Sequence, residues 1–328
     1  MKLELFIQNV QTIRKEFAWH DGRSKRLSAL IYTLEGKVID IAAIDASLKI
    51  IKSSTGMFSQ FRGTMALVIA TKISLSPSPE EAFNQTLACY NKLKEAKFTP
   101  SDFLVIAAHL IISTSKPSEI DGIIQKAREI YEGMRKNRWF STGNQDYIFS
   151  VMLAMSDINP AEGVARIKEL YDILKKDFAW VDGNSIQALC QLLTLGGKTD
   201  EALEHLRDIR ATFKANKIKL DRSYTLPSLG ALSLLNVEGE VLANQVLDIQ
   251  SQLRKEKGFG YFSIEDNELL LYASAIVTSI HTDNLNQGIL ATASTSLLNL
   301  LIAQQMTMMT VIMAAAVVNN SASRGGYG

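Results

Sequence analysis

A six-residue motif occurs twice in the chain. The sequence FAWHDG at residues 17–22 returns as FAWVDG at residues 178–183, 161 residues later and close to four steps of 40. Marker residues along the chain keep steps of 39 to 41 residues: Val10, Ile50, Tyr90, Tyr131, Tyr171, Arg210 and Gln250. A fixed period of this size is typical of proteins built from stacked helical units.

Each unit is interpreted as two helices. The first is apolar on nearly every side, as at residues 103–108 (FLVIAA), and such a helix must be buried between neighbours. The second is amphipathic and begins at a cap residue followed by proline, as at residues 78–79 and 159–160. No alternating stretch indicates a strand. The sequence therefore predicts an all-α fold, a right-handed α-solenoid of about six helical hairpins over residues 1–283.

Charged residues recur at fixed places in these units. Basic residues gather at the ends of the second helices: Arg14, Lys15, Lys94, Lys97, Arg135, Lys136, Arg138, Lys175, Lys176, Lys214, Lys217, Arg254, Lys255 and Lys257. Acidic residues gather at their starts: Glu80, Glu81, Glu119, Asp121, Glu162, Asp200, Glu201, Glu238 and Glu240. Complementation of the helix dipole predicts both rows. A track for RNA or another polyanion predicts only the basic row, and it stays an alternative.

Five side chains stand out as candidate binding groups: His20, Arg23, Arg26, Arg62 and His109. Arg62 follows two aromatic residues in a loop between helices. It is expected either to clamp a carboxylate or phosphate or to cap helix carbonyls. The residues from 20 to 26 belong to the densest basic cluster of the chain. His109 lies in a strongly apolar helix, which favours a hydrogen-bonded core residue over a ligand.

The sequence contains no pattern for catalysis, a cofactor or a metal. No HExxH, CxxC, GxSxG, Walker loop or GxGxxG motif occurs. The two cysteines, Cys89 and Cys190, lie in apolar helical contexts typical of reduced core residues. We therefore expect no cofactor and no metal, and an enzymatic activity has no motif to support it.

The C-terminal end differs from the rest of the chain. No charged residue occurs between Asp283 and Arg324, so we separate an uncharged apolar helical segment, 284–318, from a flexible tail, 319–328. Residues 297–318 form an apolar run long enough to cross about 30 Å of hydrocarbon, although basic flanks that would orient it are nearly absent. Three interpretations stay open. The run is a membrane anchor, or a helix that fills the groove of its own solenoid or pairs with a second copy, or a partner-binding or partly disordered segment.

Several motifs together resemble one family of uncharacterised bacterial proteins, domain-of-unknown-function family 4003. They are the FAWxDG start, GMFSQFRG at 56–63, IYEGM at 130–134, KGFG at 257–260 and IAQQ at 302–305. The resemblance covers nearly the whole chain and implies a cytoplasmic bacterial protein, with no activity to transfer. Residues 197–221 are also similar to tetratricopeptide and pentatricopeptide units. That second likeness implies a binding array, and pentatricopeptide arrays read RNA.

The first functional hypothesis is a non-enzymatic helical scaffold that binds a peptide or protein partner, because solenoids of this kind expose an extended groove. Binding of RNA or a polyanion along the basic edge is a second hypothesis. Tethering to a membrane through residues 297–318 is a third.

Overall fold

A computed structural model describes residues 2–63, 65–136, 142–197 and 199–285 of the 328-residue chain. Within these residues the protein is all-helical, with fourteen α-helices and no strand. The odd-numbered helices are α1 (Lys2–Ile13), α3 (Ile41–Ser54), α5 (Pro79–Glu95), α7 (Ile120–Lys136), α9 (Pro160–Asp177), α11 (Thr199–Ala215) and α13 (Gly239–Lys255). The even-numbered helices are α2 (Gly22–Leu34), α4 (Ala66–Ser74), α6 (Asp102–Thr114), α8 (Asp146–Met155), α10 (Gly183–Gly196), α12 (Leu226–Ser233) and α14 (Asp266–Leu285).

The two sets form two layers, as the apolar pattern of the sequence predicts. Every residue from Asp146 to Met155 in α8 is buried, so this helix has no solvent-facing side. In α7, by contrast, Ile123, Ala127 and Ile130 are buried, and the residues that lie between them in the sequence are largely exposed. A helix that is apolar all round belongs inside, and one with a single apolar stripe belongs outside. The even-numbered helices are therefore the inner layer and the odd-numbered helices the outer layer.

Each outer helix contacts the inner helix that follows it, which gives seven hairpins. Since short connections make consecutive contacting helices antiparallel, all outer helices run in one direction and all inner helices in the other. The loops that follow outer helices consequently lie at one end of the molecule, here called the first rim. The loops that follow inner helices lie at the opposite end, the second rim.

Neighbouring hairpins contact each other along the chain. Inner helices meet at α2–α4, α6–α8, α8–α10, α10–α12 and α12–α14, and the 3₁₀ turn Gln60–Arg62 contacts both α4 and α6. Successive outer helices are joined by ion pairs such as Lys92 Nζ–Asp121 Oδ1 (2.7 Å) and Arg166 Nη2–Asp200 Oδ1 (3.1 Å). Some members of the basic and acidic rows thus pair with each other across the outer layer.

The last hairpin returns to the first. Helix α14 contacts α1 and α2. The ring of Phe6 lies 5.9 Å from that of Phe259 and 5.5 Å from that of Tyr272, measured between centroids. Lys2 Nζ donates to the carbonyl of Ser279 (3.2 Å). We call this junction the seam. The predicted right-handed α-solenoid of about six hairpins is not confirmed, because the described helices form seven hairpins whose first and last members touch.

The two FAWxDG motifs lie in the same loop of hairpins one and five. The amide of His20 donates to the carbonyl of Phe17, and the amide of Val181 donates to that of Phe178, both at 2.9 Å. Asp21 and Asp182 then cap the inner helices. The backbone conformation at the first residue of each turn differs, since Phe17 has a φ of 50° and Phe178 has a φ of −126°. The motif therefore encodes a turn and a cap, four hairpins apart.

The predicted C-terminal segments fall outside the described residues, apart from the last turn of α14. Among the helices that the structure describes, none is long and apolar enough to cross a membrane.

Candidate functional site

Arg62 is engaged by the end of α3. Its Nε donates to Thr55 Oγ1 (3.1 Å), and its Nη2 donates to the carbonyls of Lys52 and Thr55. The side chain thereby satisfies carbonyls that the helix terminus leaves unpaired. The capping interpretation of Arg62 matches this geometry, while the anion clamp stays a prediction.

Arg23 and Arg26 both bind Glu268 across the seam. Arg23 Nε lies 3.1 Å from Glu268 Oε2, and Arg26 Nη2 lies 2.8 Å from Oε1. The Glu268 side chain is 3% exposed and also accepts from Tyr272 Oη (3.3 Å). Burial acts to lower the pKa of Arg26, but attraction to Tyr272 and Glu268 outweighs it and leaves the pKa raised. These two arginines join the first and last hairpins at the seam, and a role in ligand binding stays a prediction.

The two candidate histidines lie in different surroundings. His20 stands in the first-rim loop beside Phe17, and burial is the main cause that lowers its pKa, with nearby Lys25 and Lys52 acting in the same direction. His109 is buried in α6, where its Nδ1 lies 3.3 Å from Thr86 Oγ1. Burial, reinforced by Lys72, lowers the pKa of His109 to about 3, so this imidazole is neutral near pH 7. The structure brings Arg23 and Arg26 together at the seam, places His20 in the loop that precedes them and leaves His109 in the core.

Side chains outside the seam that are suited to metal binding or catalysis make structural contacts instead. Within the described residues no group of three or more His, Cys, Asp or Glu side chains is placed to hold a metal ion. A cavity of about 680 Å³ at the second rim is lined by His205. Both ring nitrogens of His205 lie near carbonyl oxygens, those of Ser233 (3.0 Å) and Val237 (2.9 Å), so the ring is held against the end of α12 and the loop that follows it.

Asp146 is the most buried carboxyl of the inner layer outside the seam. Its Oδ1 accepts from Gln187 Nε2 and Gln191 Nε2, both at 2.7 Å, and its Oδ2 accepts from the amide of Gly143 (2.8 Å). Burial raises the pKa of Asp146 to about 6 against these hydrogen bonds. The group joins α8 to α10, and no second ionisable partner accompanies it among its hydrogen-bond contacts.

The feature that sequence reasoning missed is a set of exposed aromatic side chains at one rim. Within the described residues, the aromatic side chains that are largely exposed are Trp19, Phe58, Trp180, Tyr261 and Phe262. All five lie in loops that follow outer helices, and therefore at the first rim. Two of the three tryptophans in the chain are among them. Aromatic side chains in short loops between long helices were the sequence signal that could have indicated this surface. The sequence does not distinguish a loop aromatic that is buried, such as Phe98, from one that is exposed.

The seam brings most of these side chains onto neighbouring loops. Gln11 Nε2 donates to the carbonyl of Lys257 (2.9 Å), which joins the first hairpin to the loop of the last, and Lys52 is close enough to influence His20. The loops of hairpins seven, one and two are thus adjacent. They carry the exposed residues Tyr261, Phe262, Trp19, Met57 and Phe58, a patch that we call the closure arc.

Lysine residues are frequent along the first rim, and the exposed acids Glu16, Glu265 and Asp266 lie in or next to the same loops as the closure arc. Exposed lysines of the first rim include Lys15, Lys94, Lys97, Lys175, Lys176, Lys214, Lys217, Lys255 and Lys257, and the second rim carries the acidic row. The inner helices also direct their N-termini, with the positive ends of their dipoles, to the first rim. Aromatic anchors on a rim that is rich in lysine suit a partner surface that combines apolar and acidic side chains.

No curated protein and no solved structure matches the chain. The likeness to tetratricopeptide-type units is therefore not confirmed. One family matches over residues 9–307 and is described as a protein of unknown function. That match covers most of the chain, including every helix of the described part from α2 to α14, and the chain belongs to the DUF4003 family.

Proposed function

We propose that this protein is a non-enzymatic binding protein that docks an acidic protein surface through the closure arc. The observation that carries the proposal is the confinement of the exposed aromatic side chains to one rim. Exposed apolar patches with polar borders mark interaction sites, and Trp, Tyr, Met and Arg are the residues enriched in them.

Preorganised side chains favour this role. The guanidinium of Arg254 lies 4.4 Å from the ring centre of Tyr261, and that of Arg210 lies 4.9 Å from the ring centre of Trp180. An aromatic ring held by an arginine loses little conformational freedom when it binds, so less of the contact energy is lost to ordering. Lysines at the border would steer an acidic partner to the rim.

Binding of RNA or another polyanion is the second candidate, because aromatic side chains and lysines together are also the elements of single-strand recognition. The acidic partner protein is favoured over it. The aromatic side chains that form the closure arc lie on three loops at one edge, rather than at regular steps along a basic groove. A cytoplasmic location, which the family resemblance implies, accords with either partner and stays part of the proposal.

Site-specific photo-crosslinking in the native cell tests the proposal. A benzophenone amino acid replaces Phe58 or Phe262 in the closure arc. The matched control position is Val38, which is exposed at the second rim. We expect one acidic protein to be crosslinked from both arc positions and not from Val38.

The affinity between the purified protein and its crosslinked partner then measures the contribution of the closure arc to binding. Phe58→Ala and Trp19→Ala should each weaken it by about 10-fold or more, as anchor residues do. Adducts that are sensitive to nuclease would assign the rim to RNA, and adducts to lipid would assign it to a membrane. Either result, or crosslinking that is equal at Val38, contradicts the proposal.

A further inference from the structure

A groove of about 540 Å³ opens at the first rim between hairpins six and seven, and we call it the rim groove. It is lined by the loop that follows α11, by the C-terminal half of α13 and by the start of α14. Tyr261 of the closure arc is one of its walls, so the groove continues that surface towards hairpin six. Its volume is in the range of sites that hold small ligands.

The floor of the rim groove is aliphatic. Ile218 is 4% exposed and Leu270 is 3% exposed, while Leu247 is partly buried and packs against the same core. An apolar side chain that enters the groove therefore leaves water for an apolar surface, which favours its binding.

Two lysines at the edge of the groove are presented by a fixed loop. Lys217 has a φ of 60°, and its amide donates to the carbonyl of Lys214 (3.1 Å). The amide of Ile218 donates to the carbonyl of Phe213 (2.8 Å), which holds the loop on the end of α11. Lys217 and Lys219 thus flank a buried residue and are both exposed. Within the described residues, neither ammonium group makes an ion pair or a hydrogen bond.

The acidic residue of the lining, Asp266, is paired with an arginine of the same lining, since its Oδ1 accepts from Arg254 Nη2. Arg254 also donates to the carbonyls of Phe259 (2.7 Å) and Ile264 (3.0 Å), and its guanidinium lies 4.4 Å from the ring centre of Tyr261. This pair is neutral as a unit. The net charge of the lining is consequently that of the two lysines.

Polar side chains of α13 form the wall between the floor and the solvent. Gln250 and Ser251 line the groove, and in the part of the chain that the structure describes their side chains make no hydrogen bond. Each offers a donor, and the two lysines offer charged donors, so a carboxylate that enters the groove gains charge-assisted hydrogen bonds. The lining as a whole matches a carboxylate that stands beside an apolar side chain.

We infer that the rim groove takes a peptide segment in which an acidic residue is next to an apolar one. The inference rests on the proposed function, because it names the part of the acidic partner that this rim binds. The apolar side chain lies on the floor, and the carboxylate lies between Lys217 and Lys219. Nucleic acid suits the groove less well. Its affinity grows with the number of phosphates that are neutralised, and its bases stack on aromatic platforms rather than on an aliphatic floor.

Selection from a random-peptide phage library on the immobilised full-length protein tests the inference. We expect the selected peptides to pair Asp or Glu with a neighbouring apolar residue. The strongest of them is then made with a fluorescent label and titrated with the protein in solution. Replacement of its acid by the matching amide should weaken binding by about 10-fold or more, since a charged acceptor is lost. Selected peptides without such a pair, or an amide peptide that binds equally well, would overturn the inference.

Two variants locate the labelled peptide in the groove. Lys217→Glu combined with Lys219→Glu reverses the charge at the edge and should weaken binding by about 10-fold or more. Ser251→Trp fills the groove without a change of charge and should have a similar effect, while the far-ultraviolet circular dichroism of both variants is retained. The matched control is Lys97→Glu, an exposed lysine with a φ of 69° in the equivalent loop of hairpin three, where we expect less than about a twofold change.

The results distinguish the rim groove from the closure arc. Peptides that lose affinity in Phe58→Ala but keep it in both groove variants would overturn the groove and leave the proposed function intact. Peptides that depend on the groove, together with no crosslink from Phe58 or Phe262 in the cell, would support the groove and contradict docking through the arc. If a labelled oligouridine binds through the two lysines and no acidic peptide is selected, the groove belongs to nucleic acid and the inference is wrong.

Discussion

Glu268 is the residue on which the seam depends. Its carboxylate is buried between two arginines that belong to the first hairpin, 242 and 245 residues away in sequence. Removal of one partner from a buried ion pair leaves the others charged and desolvated, which costs more than the pair itself contributes. The network therefore specifies which surfaces close on each other, more than it adds net stability.

Glu268→Ala should lower the free energy of unfolding by about 3–5 kcal/mol, because Arg26 keeps a buried charge without its partner. Urea denaturation followed by circular dichroism measures this. The control is Asp45→Ala, which removes the exposed pair between Asp45 and Lys49 and should change stability by less than about 1 kcal/mol. An equal effect of the two substitutions would contradict the closed seam.

Asp146 makes stability depend on pH in a defined direction. Burial raises the pKa of Asp146 from its ordinary value of 3.8 to about 6 in the folded protein, so the folded state binds more protons between these values. The free energy of unfolding should therefore fall as the pH rises from about 4 to 6, by at most about 3 kcal/mol. Asp146→Asn should remove this slope. Denaturation at a series of pH values compares the two proteins, and identical slopes would show that Asp146 is not the group responsible.

At the scale of single elements, helix ends are set by short local signals. Asp21 Oδ1 accepts from the amides of Arg23 (2.8 Å) and Ser24 (3.1 Å), and Asp182 Oδ1 accepts from the amide of Ser185 (2.9 Å). In both copies the serine hydroxyl returns a bond to the other carboxylate oxygen. The two FAWxDG motifs thus begin inner helices in the same way.

Asp21→Ala and Asp182→Ala should each cost about 1 kcal/mol of unfolding free energy, through loss of the cap, and should agree within about 0.5 kcal/mol. Thermal and urea denaturation measure both. The comparison substitution is Asp208→Ala, an exposed position inside α11, where we expect little change. A cost that is confined to one of the two caps would mean that the motif copies are not structurally equivalent.

The described helices form a closed circuit, and this changes how the first and last of them behave. In an open array each unit is supported mainly by its neighbours, so terminal helices lack support on one side and open first. Here α1 and α14 support each other through Phe6, Tyr272 and Lys2.

Amide hydrogen exchange of the full-length protein should show α1 and α14 protected to within about 10-fold of α8 in the middle of the chain. Mass spectrometry of peptides from the three helices measures this. Glu268→Ala should speed exchange selectively in α1, α2 and α14. If α1 exchanges about 1,000-fold faster than α8 in the unmodified protein, the ends are not joined in solution.

The sequence by itself determined the helical class, the two alternating helix types and the step of about 40 residues, because these follow from local periodicity, caps and proline positions. It also carried the motifs of the family. Only the tertiary structure decided that the seven hairpins return on themselves, since Phe6 and Tyr272, or Arg26 and Glu268, are more than 240 residues apart and no local pattern pairs them. The same closure accounts for the candidate site. Trp19, Phe58 and Phe262 are scattered in the sequence, and they lie at one rim on loops that the seam makes neighbours.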